Sequence, residues 1–173
     1  SPAPVLDRSA ADPFNLSYPC VLRDGGRWRM WYGSNRGWNA DDADVDHVLK
    51  HATSDDGVRW RPDGREVLAP RAGECALCRP WVVPDGGRYR MWFCHRGAAY
   101  RLGYAESADG ERWERDDGRA GLDPPAGGWD GEMVAYPSVV RHRGRLFLFY
   151  SGNRYGKAGF GVAVVGDPGE GGA

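Results

Sequence analysis

Tyr18-Pro-Cys-Val-Leu-Arg-Asp-Gly-Gly-Arg-Trp-Arg-Met-Trp-Tyr32 recurs as Arg79-Pro-Trp-Val-Val-Pro-Asp-Gly-Gly-Arg-Tyr-Arg-Met-Trp-Phe93 and again as Tyr136-Pro-Ser-Val-Val-Arg-His-Arg-Gly-Arg-Leu-Phe-Leu-Phe-Tyr150. The anchoring prolines, Pro19, Pro80 and Pro137, are 61 and then 57 residues apart. That period is longer than a helical repeat and close to a four-stranded propeller blade. Within the first copy, residues 20–23 read as a short strand. Asp24-Gly25-Gly26 reads as a hairpin turn whose glycines supply positive φ, and residues 27–33 as a strand alternating Arg with Trp, Met and Tyr.

Each copy is followed by further extended pieces. After the first come His47-Val-Leu-Lys-His-Ala-Thr-Ser54, the turn Asp55-Asp56-Gly57, then Val58-Arg59-Trp60 and a stretch ending Val67-Leu68. The second repeats this with residues 101–107, the turn Ala108-Asp109-Gly110 and Glu111-Arg112-Trp113. Each unit is therefore expected to carry four strands, the outermost announced by a turn and by a Trp three residues after its Gly. The third copy runs through Gly159-Phe-Gly-Val-Ala-Val-Val165 with no such turn and Trp. The fold expected is all-β: about three blades of four-stranded antiparallel sheet, in one domain over 1–173 with units at about 14–70, 74–126 and 130–166. In the opening segment 1–8, Pro4-Val5-Leu6 precedes Pro19 as Val67-Leu68 precedes Pro80, and is read as the tail of a preceding or ring-closing strand. Three units would leave an open arc, so a fragment of a longer chain or a homo-oligomer is expected.

Composition agrees with turn-rich sheets: 26 Gly and 8 Trp in 173 residues. Trp31, Trp60, Trp92 and Trp113 are expected to pack between blades. The net charge of −1, with acids and bases interleaved, argues against a nucleic-acid partner. No apolar run approaches the roughly 20 residues that span a bilayer, and the opening residues lack the pattern of a signal peptide; no membrane association and a cytoplasmic location are expected. Basic residues are nearly all Arg, with Lys only at 50 and 157, as in proteins of GC-rich bacteria. Cys75-Ala-Leu-Cys78 has zinc-ligand spacing without a second pair, so buried free thiols are favoured over a metal site. The acids Asp41, Asp42, Asp44 and Asp46 alternate as in a calcium loop but lack its Gly and terminal Glu, and Trp38 in the same loop is read as a rim residue. No metal and no cofactor is expected.

The strand-opening Pro with Val two residues on, the Asp-Gly-Gly turn, Arg-aromatic-Arg-Met-Trp and Ser-Asp-Asp-Gly-x-x-Trp together resemble the five-bladed propeller glycoside hydrolases of families 32, 43 and 68. Trp129-Asp-Gly-Glu-Met-Val-Ala-Tyr-Pro137 and Tyr150-Ser-Gly-Asn-Arg-Tyr-Gly-Lys-Ala-Gly-Phe-Gly161 look like the last blade of a glycosidase-like subgroup. The resemblance implies the three C-terminal blades, a carbohydrate partner and, if the protein is an enzyme, hydrolysis of O-glycosyl bonds by two carboxyl groups.

Innermost strands begin at the central funnel, so the residues before the three prolines are expected to line the site. Glu74 is the candidate proton donor, with Asp130 and Glu132 as candidates for the second carboxylate. Asp12, Asn15, Tyr18, Arg79, His95, Arg96, Trp129, Tyr136 and Arg154 are candidate substrate-binding residues, the tyrosines and Trp129 by stacking and the guanidinium groups by bidentate hydrogen bonds. The family 32 Arg-Asp-Pro pattern stands here as Cys78-Arg79-Pro80, without the Asp. Two alternatives stay open: a non-catalytic carbohydrate-binding or assembly module, and a glycoside phosphorylase in which Arg and His hold phosphate.

Overall fold

A computed structural model describes residues 2–37, 46–122 and 124–165. Trp38, Asp41, Asp42 and Asp44 lie outside the described residues; Asp46 lies within them and pairs with Arg36. The described residues form three antiparallel sheets. The first holds β1 (Leu16–Asp24), β2 (Arg27–Asn35), β3 (His47–Ser54) and β4 (Arg61–Leu68). The second holds β5 (Ala76–Asp85), β6 (Arg88–Arg96), β7 (Tyr100–Ser107) and the two-residue β8 (Glu114–Arg115). The third holds β9 (Ala135–His142), β10 (Arg145–Ser151) and β11 (Phe160–Val165). A lone parallel bridge, His47 to Ala76, joins the first two sheets. These are propeller blades, each built outward from its own hairpin. No helix among the described residues is long and apolar enough to cross a membrane.

The hairpin turns follow from their residues. Gly25 and Gly26 have φ of +54° and +85°, and Gly86 and Gly87 have +56° and +83°. Two consecutive positive φ values are the requirement of the tight turn that matches strand twist. In the third hairpin the same two places are held by Arg143, at φ +48°, and Gly144.

The inner strands are longer than residues 20–23 suggested, because a bulge lets the ladder continue past the proline. Register shifts fall between Ser17 and Cys20 in β1 and between Cys78 and Trp81 in β5. In the third sheet the shift falls between Phe149 and Ser151, opposite the start of β9. Tyr18, Arg79 and Tyr136, each preceding its proline, have φ of +51°, +51° and +60°. A bulge tolerates a proline that has no N–H to donate.

The outer strands begin later than Val58 and Glu111. Asp56 Oδ1 accepts the N–H groups of Val58 and Arg59, and Asp109 Oδ1 those of Glu111 and Arg112. Donors committed to a side chain are lost to the ladder, so β4 starts after Trp60 and β8 after Trp113. Pro4, Val5 and Leu6 form no strand; Leu6 packs instead on Met30, Tyr32 and Ala52 of the first sheet.

Two apolar layers join the sheets. Trp31, Leu49, Leu77, Val82, Met91 and Phe93 fill the space between the first and second. Trp92, Leu102, Val134, Val139, Leu146 and Leu148 fill that between the second and third. Trp31 Nε1 donates across the first gap to Gly110 O at 2.8 Å, and Trp81 Nε1 across the second to Val139 O at 2.8 Å. Buried indoles find such partners as a rule.

Candidate functional site

Antiparallel order brings the starts of β1, β5 and β9, the ends of β2, β6 and β10, and the starts of β3, β7 and β11 to one end of the molecule. The candidate residues gather there.

Its centre is aromatic. The rings of Tyr18 and Tyr136 are 6.4 Å apart, those of Tyr136 and Tyr100 6.4 Å, and those of Tyr100 and Tyr155 6.1 Å. The Arg96 guanidinium lies 5.7 Å from the Tyr100 ring centroid. Beneath them, Cys94 Sγ accepts the Tyr136 N–H at 2.9 Å and faces Cys78. All four cysteines are free thiols. Burial, with the neighbouring Tyr18 and thiol groups, pushes the Tyr136 phenol up to about 12, so it remains a donor at neutral pH. Arg79 Nε has no hydrogen-bond partner among the described residues.

Glu74 stands to one side, between a cavity of about 300 Å³ shared with His95 and Arg101 and one of about 440 Å³ shared with Arg36 and Arg71. Arg115 forks onto its carboxylate, with Nη2 at 2.6 Å from Oε1 and Nη1 at 2.8 Å from Oε2. The Arg71 N–H adds a bond of 2.8 Å to Oε2. His95 Nδ1 is 2.9 Å from Oε1, a contact the ring geometry does not turn into a hydrogen bond. Burial alone would raise the Glu74 pKa; the Arg115 and Arg71 hydrogen bonds and the cationic charge outweigh it and bring the group to about 2. These bonds favour the carboxylate form of Glu74, whereas the proton-donor role expected of it calls for the protonated form. Glu74, His95 and Asp117 each offer a ligand atom within 4.8 Å of the others. Arg115 also binds Asp117, at 2.8 Å, so a guanidinium already neutralises this group of acids.

Asp12 and Asp130 turn inward instead of facing the funnel. Asp12 is fully buried and accepts the Tyr32 hydroxyl at 2.9 Å and that of Ser34 at 2.6 Å, with Lys50 Nζ at 3.2 Å. Asp130, also buried, accepts the Tyr150 hydroxyl at 2.8 Å. Seven residues before Pro19 and Pro137 respectively, the two are equivalent tethers of inner loop to second strand. In the second sheet the tyrosine is Phe93, and the Arg115 guanidinium lies 5.1 Å from its ring centroid.

On the other side Glu132 is exposed on a groove of about 340 Å³ that it shares with Trp129, Asn153, Arg154 and Lys157. Trp129, 39 % exposed, stacks on Tyr150 at 5.6 Å. A Cβ on Gly161 would come within 2.6 Å of the Trp129 ring, which is why that strand position is glycine. Arg101, which lines the cavity beside Glu74, donates to the Glu132 carbonyl at 2.7 Å and so links the two sides. Arg154, at φ +57°, is exposed on the groove; Asn15 is half-buried at the start of β1. Arg115, Arg101, Asn153 and Tyr100 escaped the sequence reading. Only Asn153 carried a signal, since it follows Tyr150 by three residues as Asn35 follows Tyr32.

Solved structures share the fold. A family 117 glycoside hydrolase of the marine bacterium Zobellia galactanivorans superposes with a TM-score of 0.70 at 19% identity, over 88% of this chain and 53% of that one. The GH32 beta-fructofuranosidase BmSUC1 of Bombyx mori does so with a TM-score of 0.65 at 16% identity, over 86% of this chain and 33% of that one. The fold is thus the propeller fold of glycoside hydrolases. In sequence, the uncharacterized protein Rv1502 of Mycobacterium tuberculosis is 47% identical over 163 residues, 94% of this chain and 54% of the relative. The chain spans about half the length of the curated relatives it matches. No family model matches it.

Proposed function

We propose that this chain is part of a glycosidase-type propeller that holds a carbohydrate at the axis end of its inner strands. The observation that carries the reading is the convergence of Tyr18, Arg79 and Tyr136, each in the left-handed region directly before a proline. A residue before proline is already restricted in conformation. Such strain persists only where the surroundings enforce it, and it clusters at ligand sites. Tyrosine faces suit the apolar face of a sugar ring, and phenols with Arg79 and Arg96 suit its hydroxyls.

Hydrolysis needs one carboxyl group that donates a proton and one that stays anionic. Glu74 suits the anionic role, and Glu132, on the groove with Trp129 and Arg154, is the candidate for the other carboxyl group. A second reading, binding without turnover, is favoured by a specific feature: Arg115 occupies both carboxylate oxygens of Glu74.

Saturation-transfer NMR against a panel of monosaccharides, together with release of nitrophenol from nitrophenyl glycosides, tests both. Tyr136→Ala is expected to weaken sugar binding about tenfold, equivalent to about 1.4 kcal/mol. Turnover lost in both Glu74→Gln and Glu132→Gln with binding retained supports hydrolysis; binding without turnover supports the second reading. If no sugar in the panel binds the wild type, the carbohydrate reading fails.

A further inference from the structure

At the axis end of the first sheet a row of uncharged polar side chains carries buried atoms with no hydrogen-bond partner among the described residues. Asn35 ends β2 and pairs with His47 of β3. Leu16 pairs with Ser34 and Ser17 with Gly33, so Asn15, one step further out, stands opposite Asn35. Residues opposite one another on antiparallel strands share a face; here it is the face that carries Trp31 and Leu49 towards the second sheet. Gly33 leaves the room that Ser17 fills, since a Cβ there would lie 2.8 Å from Ser17 Oγ. Asn35 is 1% exposed, yet neither its Oδ1 nor its Nδ2 has a hydrogen-bond partner among the described residues. The same holds for Asn15 Oδ1, Ser17 Oγ and His47 Nδ1. Native structures leave only a few such groups per hundred residues, and each calls for an explanation.

The third sheet supplies an internal control. Asn153 holds the repeat position of Asn35, and both polar atoms of its side chain are bonded. Oδ1 accepts the N–H groups of Glu132 and Met133, both at 3.0 Å, and Nδ2 donates to Gly128 O at 3.0 Å. An asparagine here can therefore be satisfied by the chain itself, whereas in the first sheet no described residue bonds to it.

The chemistry of the row narrows the ligand. An amide, a hydroxyl and an imidazole each both donate and accept. Burial lowers the His47 pKa, so the imidazole is neutral at pH 7. The flanking charges, Arg36 and Asp46, pair with each other at 3.3 Å. Sugar hydroxyls likewise both donate and accept, whereas a carboxylate or phosphate only accepts and calls for cationic donors.

We propose that Asn15, Ser17, Asn35 and His47 form a recognition subsite for neighbouring hydroxyls of an uncharged sugar unit. The inference rests on the carbohydrate reading above and narrows it to neutral sugars. These polar atoms are closed to solvent in the free chain, so entry involves a side-chain rearrangement at this end of the sheet.

The test compares Asn35→Leu with Asn153→Leu in the full chain, with Ser17→Ala as a milder variant of the row. Thermal melts are expected to leave Asn35→Leu unchanged or raised, because no internal hydrogen bond is lost. Asn153→Leu is expected to melt several degrees lower. Saturation-transfer NMR with arabinose and galactose is expected to show wild-type binding that falls at least tenfold in Asn35→Leu and measurably in Ser17→Ala, with galacturonate binding weakly throughout. A melt for Asn35→Leu as low as that of Asn153→Leu would make the row a structural cage for internal water and overturn the inference. Unchanged arabinose and galactose binding in Asn35→Leu would also overturn it while leaving the carbohydrate reading intact. A preference for galacturonate lost in Asn35→Leu would overturn the neutral class. No binding of any sugar by the wild type would overturn both readings.

Discussion

Lys50 shows how a single side chain declares its partner only in three dimensions. One of two lysines in an arginine-rich chain, it sits mid-strand, buried, with its Nζ against Asp12 Oδ1 and the Ala11 carbonyl. Removing one member of a buried ion pair leaves an uncompensated charge. Lys50→Met is expected to cost about 3–5 kcal/mol in urea unfolding, and Tyr32→Phe, which removes one bond to the same carboxylate, about 2 kcal/mol. Glu74 gives a pH signature. Its pKa is depressed from 4.5 to about 2, so its ionised form contributes stability in full above about pH 4.5, and that contribution is lost as the pH falls towards 2. Between about pH 5 and pH 2 the wild type is expected to lose about 3 kcal/mol more than Glu74→Gln. At this scale the sequence was legible where the repeat pointed. Tyr18, Arg79 and Tyr136 precede the repeated prolines, and all three reach the axis end. Arg115 was not legible, because its pairing joins β8 to Glu74, 41 residues away in the loop before β5.

Among the elements, the turns were the most legible and the outer strands the least. Asp-Gly-Gly announces its geometry through glycine's freedom at positive φ. The late start of β4 and β8 depended on which N–H groups the Asp56 and Asp109 side chains would claim, a local competition that alternation of apolar residues does not register. The third hairpin carries a strain that the others avoid, since Arg143, exposed and at φ +48°, stands where they have Gly25 and Gly86. Arg143→Gly is expected to raise stability by about 1 kcal/mol, seen as a melting point a few degrees higher. A lower melting point would mean that the Arg143 side chain contributes more than its backbone costs.

At the scale of the whole molecule, the third sheet ends in an apolar face. Val140 of β9, Phe149 of β10 and Phe160, Val162 and Val164 of β11 lie on one face of the third sheet and are all exposed. Among the described residues β11 pairs only with β10. An apolar face with an open edge promotes association. Light scattering on the isolated chain is expected to give a mass that rises with concentration, and Val162→Lys is expected to suppress the rise; a mass independent of concentration would show that this face is not adhesive. The architecture could be read from the proline period with its hairpin and turn-plus-Trp signals, whereas the outward orientation of this face depends on what stands beside the third sheet, which a repeat pattern does not encode. The tryptophan ties have a separate consequence. Because Trp31 and Trp81 each donate to a carbonyl of the neighbouring sheet, their emission acts as a strain gauge across the two joints. A sheet that slides or peels away would release an indole into a new dielectric before its own strands come apart, so fluorescence should register undocking ahead of the loss of β circular dichroism.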